Sequence, residues 1–137
     1  TPNTVPAGTI SGTVTFTDTN LVNSGGYYYI AAYASWPPTG NPTSGDTLIP
    51  VLNSGTYTAS YTISGLPDTG NFVVTSAWLK VPYVPGAGIY GLGFYGCEPP
   101  SPSCVGNPSR VTLSSGVGQE NINFKSNMDT ASYLYKF

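Results

Sequence analysis

Polar and apolar residues alternate along much of this chain with a period of two, the signature of strands buried on one face. The cleanest case is Gly55 to Trp78, GTYTASYTISGLPDTGNFVVTSAW. Tyr57, Ala59, Tyr61 and Ile63 fall on one face, and Thr56, Thr58, Ser60 and Thr62 on the other. Gly65-Leu66-Pro67-Asp68-Thr69-Gly70 breaks the run, and Phe72-Val73-Val74 begins another. The segment reads as strand, tight turn, strand. Pro67 presets φ in the turn, Gly70 tolerates a positive φ, and Leu66 is placed to point back under the fold.

The same pattern recurs upstream. In Thr9 to Thr17, TISGTVTFT, Ile10, Gly12, Val14 and Phe16 face one way and Thr9, Ser11, Thr13, Thr15 and Thr17 the other. Tyr27 to Trp36, YYYIAAYASW, is apolar on both faces and predicts a central strand covered on both sides. Pro37-Pro38 stops it. Thr47 to Leu52 predicts a short strand. Val111 to Leu113 and Glu120 to Phe124 predict a final hairpin. In the tail, Tyr133, Tyr135 and Phe137 share one face, and Ser132, Leu134 and Lys136 the other. No window combines helical apolar spacing with a cap, so no helix is predicted.

These elements organise the chain into an extended N-terminal arm (1–8), a β-sandwich domain (9–126) and a C-terminal strand or tail (127–137). Val81 to Arg110 departs from the alternation. It holds six prolines, both cysteines and the aromatic run IYGLGFYG, and reads as an ordered surface excursion with room for a short strand. At 137 residues the chain is one domain by size. The expected fold is all-β, an antiparallel sandwich of seven or eight strands.

Charge changes the picture most. Only 7% of residues are charged, and the net charge is −2, against about 25% charged residues in an ordinary globular chain. Solubility then rests on Thr, Ser, Asn and Gly, or on assembly that hides surface. Lys80, Arg110, Lys125 and Lys136 are scattered, so a nucleic-acid footprint is not expected. There is no His and one Met, which argues against a soft metal site. No apolar run approaches the roughly 18 residues of a membrane-spanning helix. The composition has a secreted or cell-surface flavour, and the start at Thr1 reads as a mature form cut from a precursor.

Cys97 and Cys104 flank a Pro-rich loop and read as a local disulfide. Closing that eight-residue loop contributes about 2.5 kcal/mol in the chain-entropy model. Catalysis needs convergent acids, bases or nucleophiles. Asp18, Asp46, Asp68, Glu98, Glu120 and Asp129 all fall in or near loops or strand ends, so no carboxylate pair is identified, and a Ser or Cys nucleophile has no His base. No enzyme and no cofactor is expected. Asp18 and Asn20 have the oxygen ligands of a Ca²⁺ loop, but Asp-Thr-Asn is also an ordinary turn. No N-x-S/T sequon is available, since Asn41 and Asn107 precede Pro. Thr13, Thr15 and Thr17 are candidates for O-linked sugars.

Three pieces resemble the carboxypeptidase regulatory-like and Cna-B-like domains. They are ISGTVTFTD (Ile10–Asp18), GTYTASYTISGLPDTGNFVVTSA (Gly55–Ala77) and VTLSSGVGQENINF (Val111–Phe124). The resemblance implies a prealbumin-like, transthyretin-like sandwich over residues 9–125, and a mostly non-catalytic role as stalk, spacer, polymer subunit or accessory module. Some members carry a Lys–Asn isopeptide bond. Asn121 and Asn123 match the Asn position, but the first strand, Thr9 to Thr17, has no Lys.

The leading functional expectation is an extracellular, self-assembling structural subunit of a fibre or surface layer. Its contacts would be sheet edges, the arm and the tail, with Tyr133, Leu134, Tyr135 and Phe137 as assembly residues. The rival is a carbohydrate-binding module. Its platform would be Tyr83, Tyr90, Phe94 and Tyr95, with Trp36 and Trp78 as further aromatic candidates. A third reading is an inert spacer of a larger protein. The expected partners are the chain itself or a polysaccharide.

Overall fold

The computed structural model describes residues 5–17, 26–38, 42–80, 89–97, 101–114, 116–128 and 134–136. Its strands are β1 (Ile10–Phe16), β2 (Gly26–Tyr33), β3 (Ser44–Leu48), β4 (Val51–Asn53), β5 (Thr56–Ile63), β6 (Gly70–Lys80), β7 (Ile89–Phe94), β8 (Val111–Leu113), β9 (Phe124–Ser126) and β10 (Tyr135–Lys136). One helix, α1, spans Pro102–Gly106. The strands form a four-stranded sheet, β4-β5-β1-β9, and a six-stranded sheet, β10-β7-β6-β2-β3, in which β8 also pairs with β6. The expected all-β sandwich is present. All strand pairings are antiparallel except β1 with β9, and the isolated Ile10–Gln119 bridge is also parallel.

The core lies between the sheets. Ile10, Val14 and Phe16 of β1 meet Tyr28, Ile30 and Ala32 of β2 and Phe72, Val74 and Trp78 of β6 across it. Burying such side chains stabilises by roughly 1.5–3 kcal/mol each. Hydroxyl bonds supplement this packing, some between the sheets and some within one. Ser76 of β6 and Ser126 of β9 share a 2.6 Å hydroxyl bond, and Tyr61 Oη donates to the Ile122 carbonyl. Tyr28 Oη likewise donates to the Met128 carbonyl at 2.7 Å.

The strand–turn–strand segment is an arch rather than a hairpin. β5 belongs to the first sheet and β6 to the second, and the link 64–69 carries the chain over the end of the core. Gly65 and Gly70 bound it with φ of 77° and 149°, values that a side chain resists. Leu66 is buried beneath, as expected.

Four expectations change. The final hairpin is not formed: β8 pairs with β6, and β9 runs parallel to β1. Thr47–Leu52 is not one strand, because Ile49-Pro50 carries the chain from β3 in the second sheet to β4 in the first. A helix exists. Ser101 caps it, its hydroxyl accepting from the Cys104 amide at 3.2 Å, and Pro opens it, the side-chain cap and N1 proline of a helix start. The arm is anchored where it is described: the Val5 carbonyl accepts from the Gly118 amide, and the Gly8 carbonyl from the Leu66 amide.

Within the 81–110 excursion, the described residues 89–97 and 101–110 contribute to a second, smaller core. From Ile30 onward β2 is covered on both faces, as its two-sided apolarity predicts, whereas Tyr27 at its start is exposed. Ala31 and Tyr33 on its outer face pack with Val73, Phe94, Cys97 and Val105. Trp36 closes over them and donates from Nε1 to the Val105 carbonyl at 2.8 Å.

Candidate functional site

Strand pairing leaves two edges on each sheet, and their chemistry differs. β3 carries Asp46, β9 carries Lys125, and β10 carries Lys136. Charges of this kind discourage pairing with another chain. β4 carries none. Its registers are Val51↔Thr58, Leu52↔Tyr57 and Asn53↔Thr56, all with β5, and among the described residues no strand flanks its other side.

β4 is also the most apolar exposed surface of the described residues. Ile49 is 72% exposed, Val51 59% and Leu52 55%. Residues 47–67 contain no charged residue at all. The hairpin that holds β4 on β5 is local in origin: Ser54 and Gly55 adopt φ of 52° and 82°, the pair of positive values a two-residue turn requires. Pro50, at the entry, lacks an amide but precedes the strand, so it leaves the β4 donors intact.

The tail docks on its own chain. β10 pairs antiparallel with β7, Tyr135 opposite Gly91 and Lys136 opposite Tyr90. The Leu134 amide donates to the Gly91 carbonyl at 2.7 Å. Leu134 and Tyr135 pack on the second core, with the Tyr135 ring 5.0 Å from that of Trp36. Tyr133 and Phe137, the other proposed assembly residues, lie outside the described residues, as does Tyr83.

The remaining aromatics do not share a face. Tyr90 packs on the main core, 6.3 Å from Trp78. Phe94 is 1% exposed on the opposite side of the sheet, 5.2 Å from Trp36. The register between β6 and β7 slips between Ser76 and Ala77, which pair with Gly93 and Gly91. This bulge inserts Leu92 and turns Phe94 to the other face. Tyr95 is half-buried against the main core. Cys97 and Cys104 are disulfide-bonded, tying the end of β7 to α1.

Burial sets the state of two phenols. Tyr33 is pushed up to about 12, chiefly by burial; its hydrogen bond with Tyr29 opposes the shift and nearby Tyr135 adds to it. Burial raises Tyr61 still further, with Tyr95 contributing. Neither is poised for acid–base chemistry near neutral pH. Asp46, Asp68 and Glu120 are exposed, whereas Asp18, Asn20, Glu98 and Asp129 lie outside the described residues. Among the described residues no three His, Cys, Asp or Glu side chains cluster as a metal site would need. Asn123 accepts a 2.8 Å hydrogen bond from the Thr13 amide through Oδ1, which gives it a structural task on β1.

The β4 edge escaped the motif reading because no motif marks it. Its trace in the sequence is the charge-free stretch 47–67, with apolar Ile49, Val51 and Leu52 on both strand parities beside Pro50. Comparison with known proteins finds no matching family model, no matching curated protein and no matching solved structure.

Proposed function

We propose that this protein is a non-catalytic, extracellular structural subunit, and that copies of it associate through β4. The observation that carries the reading is the exposed, uncharged, apolar edge at Val51–Asn53 with Ile49 beside it. An open strand edge offers a row of amides and carbonyls to another chain, and apolar side chains on both of its faces reward covering it. A second copy suits the edge best: the chain has few charges anywhere, so two like molecules approach with little repulsion. Each added strand would then extend the four-stranded sheet across the contact.

The disulfide supports a location outside the reducing cytoplasm. The sandwich is compatible with the prealbumin-like domains that its sequence resembles, and we place it with their non-catalytic members. In this reading the tail acts in cis. It covers the β7 edge and the second core, so that β4 alone among the described edges is left open and uncharged.

Negative-stain electron microscopy of the purified chain at neutral pH tests the proposal. Regular filaments or sheets are expected from the wild type. Leu52→Lys, at an exposed position, should disperse them with an unchanged circular dichroism spectrum. Assemblies that persist unaltered in Leu52→Lys, or a wild type that never assembles, would overturn it.

A further inference from the structure

Hairpin geometry decides which backbone groups β4 offers to another chain. Ser54 and Gly55 form a two-residue turn, so Asn53 and Thr56 on either side of it are a hydrogen-bonded pair. Such pairs alternate along an antiparallel ladder with pairs that exchange no bonds. Val51 with Thr58 is therefore the next bonded pair, and Leu52 with Tyr57 is the unbonded one between them. Val51 and Asn53 direct their amides and carbonyls at β5. Leu52 turns both its amide and its carbonyl the other way, toward the open side. Pro50 turns the same way as Leu52 but has only a carbonyl to offer.

The other described edges are poor partners for this one. β3 carries Asp46 and β10 carries Lys136. β9 carries Lys125 and abuts β7. The Asn127 amide there donates to the Leu92 carbonyl at 2.9 Å, and a Cβ on Gly93 would come within 2.8 Å of the Lys125 carbonyl and of Ser126. β8 follows Arg110, and its Thr112 carbonyl accepts from the Gln119 side chain at 3.2 Å. The uncharged edge that remains is β4 itself, on a second copy.

We propose, resting on the reading of β4 as the contact between copies, that β4 pairs antiparallel with β4 of a second copy about a two-fold axis at Leu52. In that register each Leu52 amide donates to the Leu52 carbonyl of the other copy, so both outward groups are satisfied on both sides. Setting Leu52 against Pro50 of the second copy instead leaves the Leu52 carbonyl without a donor, because Pro50 has no amide. The side chains fit the same register. Leu52, 55% exposed, gains its own counterpart as a neighbour, and Val51 falls opposite Asn53. Ile49, 72% exposed, runs toward Gly55 of the second copy, where no heavy atom lies within 4 Å of the place a Cβ would take. Two four-stranded sheets become one of eight. An isologous contact closes at two copies, so the pair is the repeating unit of a filament and pairs join one another through a further surface.

Cysteine pairing reads the register directly. Opposed residues that exchange no bonds have Cα atoms about 4.5 Å apart, inside the disulfide range of about 4.4–6.8 Å. Val51→Cys and Asn53→Cys are made separately in the full chain, mixed, oxidised mildly and run on a non-reducing gel. The mixture should give a covalent dimer, and each variant alone should stay monomeric, since its thiol faces a residue without one. Adding Leu52→Lys to both should abolish the dimer. Hydrogen exchange of the native β4 amides, in dilute and concentrated solution, separates two kinds of failure. If exchange slows on concentration but the mixture gives no dimer, or if Val51→Cys or Asn53→Cys links to itself, the two-fold at Leu52 is overturned and the β4 contact stands. If exchange does not slow and no dimer forms, both fall.

Discussion

The rings of Trp36 and Tyr135 stand 5.0 Å apart at 51°, joining the end of the chain to the loop that follows β2. The contact fixes where the molecule is closed. Residues 134–136 cover the β7 edge and pack on the second core, while no described strand covers the β4 edge on the other sheet.

Deleting residues 129–137 should therefore leave a folded but weaker sandwich. Met128 must be retained, since it is fully buried and its carbonyl accepts from Tyr28. Loss of the partly buried Leu134 and Tyr135 should lower the unfolding free energy by about 2 kcal/mol. Urea denaturation followed by near-ultraviolet circular dichroism measures this. An unchanged midpoint would mean that the tail contributes no stability where it lies.

The Ser76–Ser126 bond joins the sheets at a point where both residues are at most 2% exposed. Ser76→Ala leaves the Ser126 hydroxyl its second bond, to the Asn127 carbonyl, and removes only the link between sheets. A loss of about 1 kcal/mol is expected. Ser126→Ala strands the Ser76 hydroxyl and should cost more, about 1–3 kcal/mol. The double Ala variant should be less destabilised than the sum of the two. A double-mutant cycle by equilibrium unfolding resolves the coupling.

The buried phenols predict an alkaline limit. Tyr33 ionises near 12 in the folded chain, against about 10 when unfolded. Below 10 both states hold the proton, and stability is unaffected. Above 10 the unfolded chain releases it first, so unfolding is favoured and stability falls until the folded phenol also ionises near 12. Tyr61 acts in the same direction and extends the fall upward. Thermal melts from pH 8 to 12, paired with phenolate absorbance, should show the melting temperature dropping above 10. Tyr33→Phe should shrink the drop.

Much of the fold was legible because one-face burial writes itself as alternation. Ile10, Val14 and Phe16 are buried as the Thr-rich pattern of 9–17 predicts, and Ala59, Tyr61 and Ile63 likewise. Pairing was less legible, since the period of a strand does not name its neighbour. Val111–Leu113 and Phe124 are close in sequence yet join different partners. The helix at Pro102–Gly106 is too short to show a period, and its one local trace is the Ser-Pro pair at 101–102. Phe94 shares sequence parity with Tyr90, which places the two on one face, but the bulge at Leu92 separates them. The β4 edge is a property of topology: the apolar strand is an exposed edge because β5 is its one partner among the described residues.

Hydrogen exchange of the Val51, Leu52 and Asn53 amides, in dilute and in concentrated solutions of the native chain, addresses the central claim most directly. If copies add edge to edge at β4, exchange within this strand slows as concentration rises, while the amides of β3 and β10 keep their rates. Unchanged exchange in β4 across the range, or slowing at β3 or β10 instead, would contradict it.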